Sequence, residues 1–230
     1  MIGKKVGYDD MFDASALNSY SSVIEFTLLD PRATTKDIQD LCNIAYKNKY
    51  YGVVVPPCFV SYARAYIDDK LSGALKLITV VGFPLGNGLT KSKVVETKLA
   101  IKNGADEIDV MINLSYAKMG DYNALRNEMS KVVRAGKKAT IKAIIETAYL
   151  SSDEEMQKVV KTLIKSRVDF IKTSTGYAPI GATEEVVEKL ASMLDKSGVM
   201  LKASGGVRSK AQAENLIRLG ASRIGTSRIL

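Results

Sequence analysis

Short apolar runs alternate with amphipathic stretches along this chain, and that alternation limits the fold more than any other feature of the sequence. VIEFTLL (Val23–Leu29), GVVVPP (Gly52–Pro57), LKLITVVGFPLG (Leu75–Gly86), EIDVMIN (Glu107–Asn113), TIKAIIET (Thr140–Thr147), DFIKTS, VMLKASGG (Val199–Gly206) and SRIGTS (Ser222–Ser227) read as strands. Between them lie helical patterns: TTKDIQDLCNIAYKNK behind a threonine cap, SYARAYIDDKL, TKSKVVETKLAIKNG closed by glycine, Tyr122–Ala135, SDEEMQKVVKTLIKS, Thr183–Lys196 and KAQAENLIRLG. Strands that each lead into a helix imply a parallel sheet. Eight such units in 230 residues suit a single-domain α/β fold, a TIM-type (β/α)8 barrel over residues 1–230. A doubly wound open sheet is the alternative. An extra N-terminal helix is expected over about Asp13–Ser21, and the short stretch after Gly225 predicts a missing or vestigial last helix.

Composition narrows the chemistry. Hydrophobic residues make up 46% and charged residues 25%, an ordinary globular balance. No run approaches a membrane span, and MIGKKVGYDDMFDA has no apolar segment behind its lysines, so neither signal peptide nor membrane anchor is expected. Cys42 and Cys58 follow no metal-like spacing and read as reduced cytoplasmic thiols. The net charge of +8 attracts anions, but the lysines are scattered along helices and no nucleic-acid motif accompanies them. A phosphorylated small molecule is the expected partner, with no nucleic acid and no membrane. The chain has no histidine. Ser-His and Cys-His nucleophile systems and histidine-ligated metals are therefore excluded within one chain. Acid-base work falls to Lys, Asp, Glu, Tyr or Cys.

Polar residues interrupt four of the strand patterns. Asp109, Lys142, Lys172 and Lys202 follow one another at 33, 30 and 30 residues, one βα unit each. Alternation places Val168, Phe170 and Lys172 on one face, and Met200, Lys202 and Ser204 on one face. If those faces line a barrel, the lysines and the aspartate converge near the strand ends, where such barrels do their chemistry. Core salt bridges are the bland alternative. Two neighbouring ammonium groups favour the neutral amine of the less solvated one, which makes it a nucleophile toward carbonyls. The resulting iminium is an electron sink for carbon–carbon cleavage, and a carboxylate with an ammonium can share the proton transfers. No metal or other cofactor is needed. Lys172 is the expected nucleophile, with Asp109 and Lys202 as its catalytic partners. GGVRS (Gly205–Ser209) and IGTSR (Ile224–Arg228) follow strands seven and eight, where glycines let backbone N–H groups approach a phosphate.

The chain resembles the deoxyribose-phosphate aldolases over nearly its whole length. The resemblance rests on TLLDPRAT, VVGFPLG, GADEIDVMIN, KAIIET, DFIKTSTG, LKASGGVR and GASRIGTS. It implies reversible cleavage of 2-deoxy-D-ribose 5-phosphate into D-glyceraldehyde 3-phosphate and acetaldehyde, in deoxyribonucleoside catabolism, in the cytoplasm. It implies a Schiff base on Lys172, proton transfer by Asp109 and Lys202, and a phosphate site from Gly176, Gly205, Gly206, Gly225 and Ser227. Glu25, Thr175 and Lys142 are implied at the substrate, and a homo-oligomer is possible. Departures from the family pattern are Glu25 and Phe26 where Asp-His is frequent, Pro56 before Pro57 in place of asparagine, and Arg228 where a small hydroxyl residue is common. Two other readings stay open: a different phosphosugar barrel enzyme, either an isomerase or another Schiff-base aldolase, and a non-enzymatic barrel that binds anions or RNA.

Overall fold

In a computed structural model, which describes residues 20–230, the alternation closes on itself. The strands are β1 (Ile24–Thr27), β2 (Gly52–Val55), β3 (Lys76–Val81), β4 (Glu107–Met111), β5 (Thr140–Ile144), β6 (Phe170–Lys172), β7 (Met200–Ser204) and β8 (Arg223–Thr226). All pair in parallel in sequence order, and β8 returns to β1 to complete the barrel. The helices are α1 (Thr35–Lys47), α2 (Val60–Lys70), α3 (Thr90–Lys102), α4 (Leu114–Lys118), α5 (Tyr122–Ala135), α6 (Asp153–Ser166), α7 (Glu184–Leu194) and α8 (Lys210–Arg218). The short α4, between β4 and α5, is absent from the sequence reading; Asn113 starts it by accepting a hydrogen bond from the Ser115 amide. The expected opening helix lies largely outside the described residues, and Tyr20–Val23 form a 3-10 turn. Residues 227–230 follow β8 without helix.

Local sequence explains where the helices begin. Thr34 and Asp37 cap α1 reciprocally, and Ser152, Thr183 and Ser209 each accept an amide hydrogen bond in the first turn of α6, α7 and α8. Each strand then divides its side chains between two cores. Val53, Val55, Leu77, Ile108, Val110, Ala143, Ile171 and Ala203 face outward into the helix–sheet layer. Val54, Ile78 and Val80 face inward and form a separate cluster with Leu29 and Phe83. Val168 precedes β6 and packs in the outer layer, so the inward alternation starts at Phe170 and not at Val168. The inner cluster fills only one side of the barrel. The other side is charged.

Candidate active site

The inward positions of β1, β4, β5, β6, β7 and β8 carry Glu25, Glu107, Asp109, Lys142, Lys172, Lys202 and Arg223. The ladder sets them side by side: Asp109 pairs with Lys142, Lys172 with Lys202, and Lys202 with Arg223. Gly225 makes this crowding possible, because a Cβ there would stand 3.2 Å from Cε of Lys202 and 2.8 Å from Cβ of Ser204. Such a group of charges, buried without partners, would cost several kcal/mol per ion. Partners are present.

Asp109, fully buried, is the hub. Its Oδ1 accepts from Lys142 Nζ at 3.0 Å, and its Oδ2 accepts from Lys172 Nζ at 2.9 Å and from Lys202 Nζ at 2.6 Å. Burial alone would raise its pKa, but Lys142, Lys172 and Lys202 together hold it well below the usual carboxylate range. Lys142 also meets Glu107 at 2.5 Å and Glu25 at 3.4 Å. Burial disfavours its charge, yet Asp109, Glu25 and Glu107 outweigh burial and raise its pKa, so it stays an ammonium. Lys202 is held between Glu25 and Asp109.

Among the described residues, Lys172 differs from both in having a single carboxylate partner. Burial lowers its pKa, Asp109 opposes the shift, and the adjacent Lys202 adds to it; the result is about 8. At pH 7 about a tenth of such amines are neutral, roughly 300-fold more than for an ordinary lysine. The charge balance agrees. Lys142, Lys172, Lys202 and Arg223 face Glu25, Glu107 and Asp109, so the cluster has one cation too many when Lys172 is protonated. Its neutral form restores equality. The lowering by the neighbouring Lys202, expected from the sequence, is present, and burial has the larger part.

Chemically, this arrangement supplies a neutral amine beside a carboxylate that stays ionised. When the amine becomes an iminium, positive charge reappears about where the Asp109 carboxylate already waits. The interaction is absent for the neutral amine and gained with the iminium, which is how a site favours an intermediate over its ground state. Lys202, in hydrogen-bond contact with the same carboxylate oxygen, can pass protons within the pair.

The loops beyond the strands form a second feature. Gly205 and Gly206 have φ +88° and +78°, a left-handed backbone open to glycine and strained for other residues. Gly205 approaches Gly176 and Gly181 so closely that a Cβ on it would lie 3.5 Å from one Cα and 3.0 Å from the other. A Cβ on Gly206 would point into open space. The end of β8 joins them, since Thr226 Oγ1 donates to Val207 O at 2.8 Å. Ser227 and Arg228, both exposed, follow directly. Gly225 itself faces Lys202 inside the barrel.

Other expected substrate residues are differently employed. Lys142 is enclosed among carboxylates, and Glu25 is fully buried against Lys202. The Thr175 hydroxyl bonds to Glu146, a buried residue with left-handed φ 46° at the end of β5. Sequence reasoning missed three supporting residues: Glu107, Glu146 and Arg223. Arg223 lies 3.8 Å over the Tyr51 ring, whose hydroxyl donates to Glu107. Period-two alternation already puts Glu107 on the face of Asp109, and Arg223 on the face of Gly225. Nothing local marks Glu146.

Lys202→Leu provides a pH test. It removes a cation beside Lys172 and leaves Asp109 with one ammonium fewer, and both changes favour protonated Lys172. The pH at which the amine becomes reactive is expected to rise from about 8 by up to about one unit. The rate of borohydride trapping with acetaldehyde against pH measures it. An unmoved inflection removes Lys202 from the control of this amine.

Comparisons with known proteins agree with the geometry. The model of the DeoC/LacD family aldolases matches residues 10–226. A deoxyribose-phosphate aldolase of Mycoplasmoides pirum is 41% identical over 212 residues, 91% of this chain and 94% of that one. One from Caldanaerobacter subterraneus is 41% identical over 216 residues, covering 92% and 91%. The solved tetrameric deoxyribose phosphate aldolase of Aeropyrum pernix superposes with a TM-score of 0.85 at 33% identity, covering 93% of this chain and 88% of that one.

Proposed function

We propose, on the premise that this chain belongs to the DeoC/LacD family of aldolases, that it cleaves 2-deoxy-D-ribose 5-phosphate reversibly into D-glyceraldehyde 3-phosphate and acetaldehyde. The observation that carries this reading is Lys172: a buried amine with its pKa lowered to about 8, one carboxylate beside it, at the C-terminal end of a barrel strand. An isomerase or an anion-binding barrel has no use for such an amine.

The steps follow from the groups present. The neutral Lys172 amine adds to the C1 aldehyde, and loss of water, with one proton supplied by Lys202 and given back on the final hydrolysis, leaves an iminium paired with Asp109. A proton leaves the C3 hydroxyl toward the Asp109–Lys202 pair, directly or through a water. The C2–C3 bonding electrons move toward the iminium, so C3 becomes the aldehyde of glyceraldehyde 3-phosphate and C1–C2 remain as an enamine. Protonation at C2 and hydrolysis of the iminium release acetaldehyde and regenerate Lys172. The pair returns the proton it took, and the water lost on forming the iminium is consumed again on hydrolysis. Lys142 and Glu25 act by fixing Asp109 and Lys202. No cofactor enters the scheme. Release of acetaldehyde from deoxyribose 5-phosphate tests the whole proposal, and its absence ends it.

For the phosphate we propose the backbone of Gly176, Gly205 and Gly206 with Ser227 and the end of β8 at Gly225. The open space before Gly206 and the convergence of the three loops support this. Gly206→Val would put a branched side chain into that space at a φ it tolerates poorly. Charge-assisted hydrogen bonds contribute about 1.5–3 kcal/mol each, so losing one or two lowers kcat/KM for the phosphorylated sugar by on the order of 100-fold. Plain deoxyribose, reacting slowly through the same Lys172, is expected to lose far less. Equal losses would make the glycine a folding requirement. A place in deoxyribonucleoside breakdown, in the cytoplasm and as a homo-oligomer, completes the proposal. Support comes from the tetrameric relative and from the described helices, none of which is long and apolar enough to cross a membrane.

A further inference from the structure

Lys172 is only 3% exposed, so a substrate reaches its amine only past the groups that cover the barrel mouth. One of them is Tyr177, five residues beyond the end of β6. Its hydroxyl donates to Leu29 O at 3.0 Å, just after β1, and its ring meets Phe83, just after β3, edge-on with centroids 5.4 Å apart. In the closed ladder β7 and β8 stand between β6 and β1, and β4 and β5 stand between β6 and β3. A side chain rooted after β6 that touches the ends of both β1 and β3 must cross the opening. Leu29 and Phe83 also top the apolar side of the interior, over Val54, Ile78 and Val80. Val80 is the ladder neighbour of Asp109.

The two ends of this crossing are held unequally. At its root, the Thr175 amide and hydroxyl are bound by the buried Glu146 carboxylate, and the Tyr177 amide donates back to Thr175 Oγ1 at 3.0 Å. At its tip the described residues provide one hydrogen bond and one ring edge, on a residue that is 58% exposed. A single hydrogen bond of that kind favours the closed position by about tenfold at most. The tip can swing while the root stays fixed.

We propose that Tyr177 is a latch across the barrel mouth, and that its ring and its bond to Leu29 set the size of the aldehyde that reaches Lys172. Closed, it covers the two-carbon end of the substrate with an apolar surface and keeps bulk water from the enamine. Open, it admits substrate and releases acetaldehyde. This role rests on the aldolase reading of Lys172 and adds a specificity-determining residue that touches neither Asp109 nor Lys202 among the contacts described.

The test is borohydride trapping on the full chain, with acetaldehyde and hexanal compared at one pH. The unmodified protein is expected to trap acetaldehyde much faster than hexanal. Tyr177→Ala should narrow that ratio by about tenfold or more. Tyr177→Phe, which keeps the ring and loses the bond to Leu29, should narrow it by a smaller factor, up to the tenfold that one hydrogen bond can hold. Because the ratio is internal, a generally loosened site would slow both aldehydes without moving it. No size preference in the unmodified protein, or an unchanged ratio in the variants, overturns the latch. If the alanine variant does not fold, the phenylalanine variant decides alone by the same criterion. No trapping of either aldehyde on Lys172 would instead overturn the aldolase reading, and the latch with it.

Discussion

Replacing Lys172 by arginine is expected to lower turnover by on the order of 10,000-fold or more while leaving the barrel folded. A guanidinium keeps the positive charge that Asp109 faces when Lys172 is protonated, which is the charge state that prevails at pH 7. A guanidinium holds its proton far above the working pH, so it has no neutral form to add to a carbonyl. The charge stays and the nucleophile goes, which separates a covalent role from a structural one. The other buried lysines cannot stand in. Lys142 is held as an ammonium by three carboxylates. Burial also lowers the pKa of Lys93, against the opposing pull of Glu128. Lys93, however, sits outside the barrel interior, on α3, where its amine donates to Met111 O and to Glu128 at 2.8 Å each. A lowered pKa away from the mouth does not make a nucleophile. Reduction with borohydride in the presence of acetaldehyde should therefore add mass to the peptide containing Lys172. Mass on the Lys93 or Lys202 peptide would end the assignment.

How much of this was legible without coordinates depends on the kind of information. The barrel was, because strands buried on both faces leave near-continuous apolar runs, and helices between them leave caps and a different period. The convergence of Asp109, Lys142, Lys172 and Lys202 was too, since each interrupts such a run and alternation fixes the face. What the period could not tell was which lysine is over-compensated. Lys142 and Lys172 look alike as lone cations in strands. They differ because Lys142 lies within reach of Glu25, Glu107 and Asp109, whereas Lys172 pairs with Ile144 on one side and Lys202 on the other. That is a matter of register between strands, which no single strand encodes. The Glu146–Thr175 contact was hidden for a similar reason: it joins two loops through a left-handed residue that is not glycine. The short helix α4 was invisible because five residues carry too little period to detect.

Asp109→Asn is expected to move two observables in opposite directions. The substitution keeps the shape of the hub and removes its charge. Lys142, Lys172, Lys202 and Arg223 then face only Glu25 and Glu107. Removing a buried counter-charge typically costs about 3–5 kcal/mol, and the cheapest relief is for one cation to shed its proton. Lys172 is the one already nearest to neutrality. Asp109 is the largest influence raising its pKa, so without that carboxylate the pKa falls below its present value of about 8. Deprotonation therefore begins at lower pH, and the rise of borohydride trapping with pH should start earlier. Turnover should nevertheless fall, by about 100- to 10,000-fold, because the carboxylate that shares the C3 hydroxyl proton and balances the iminium is gone. The stability loss should be pH-dependent in the same sense. It is largest at low pH, where the excess ammonium groups are all charged, and shrinks as pH rises through the lowered pKa of Lys172. An onset that moves to higher pH would mean that Asp109 does not hold the proton on Lys172. An onset at lower pH with turnover intact would mean that the carboxylate tunes the amine and takes no part in cleaving the bond.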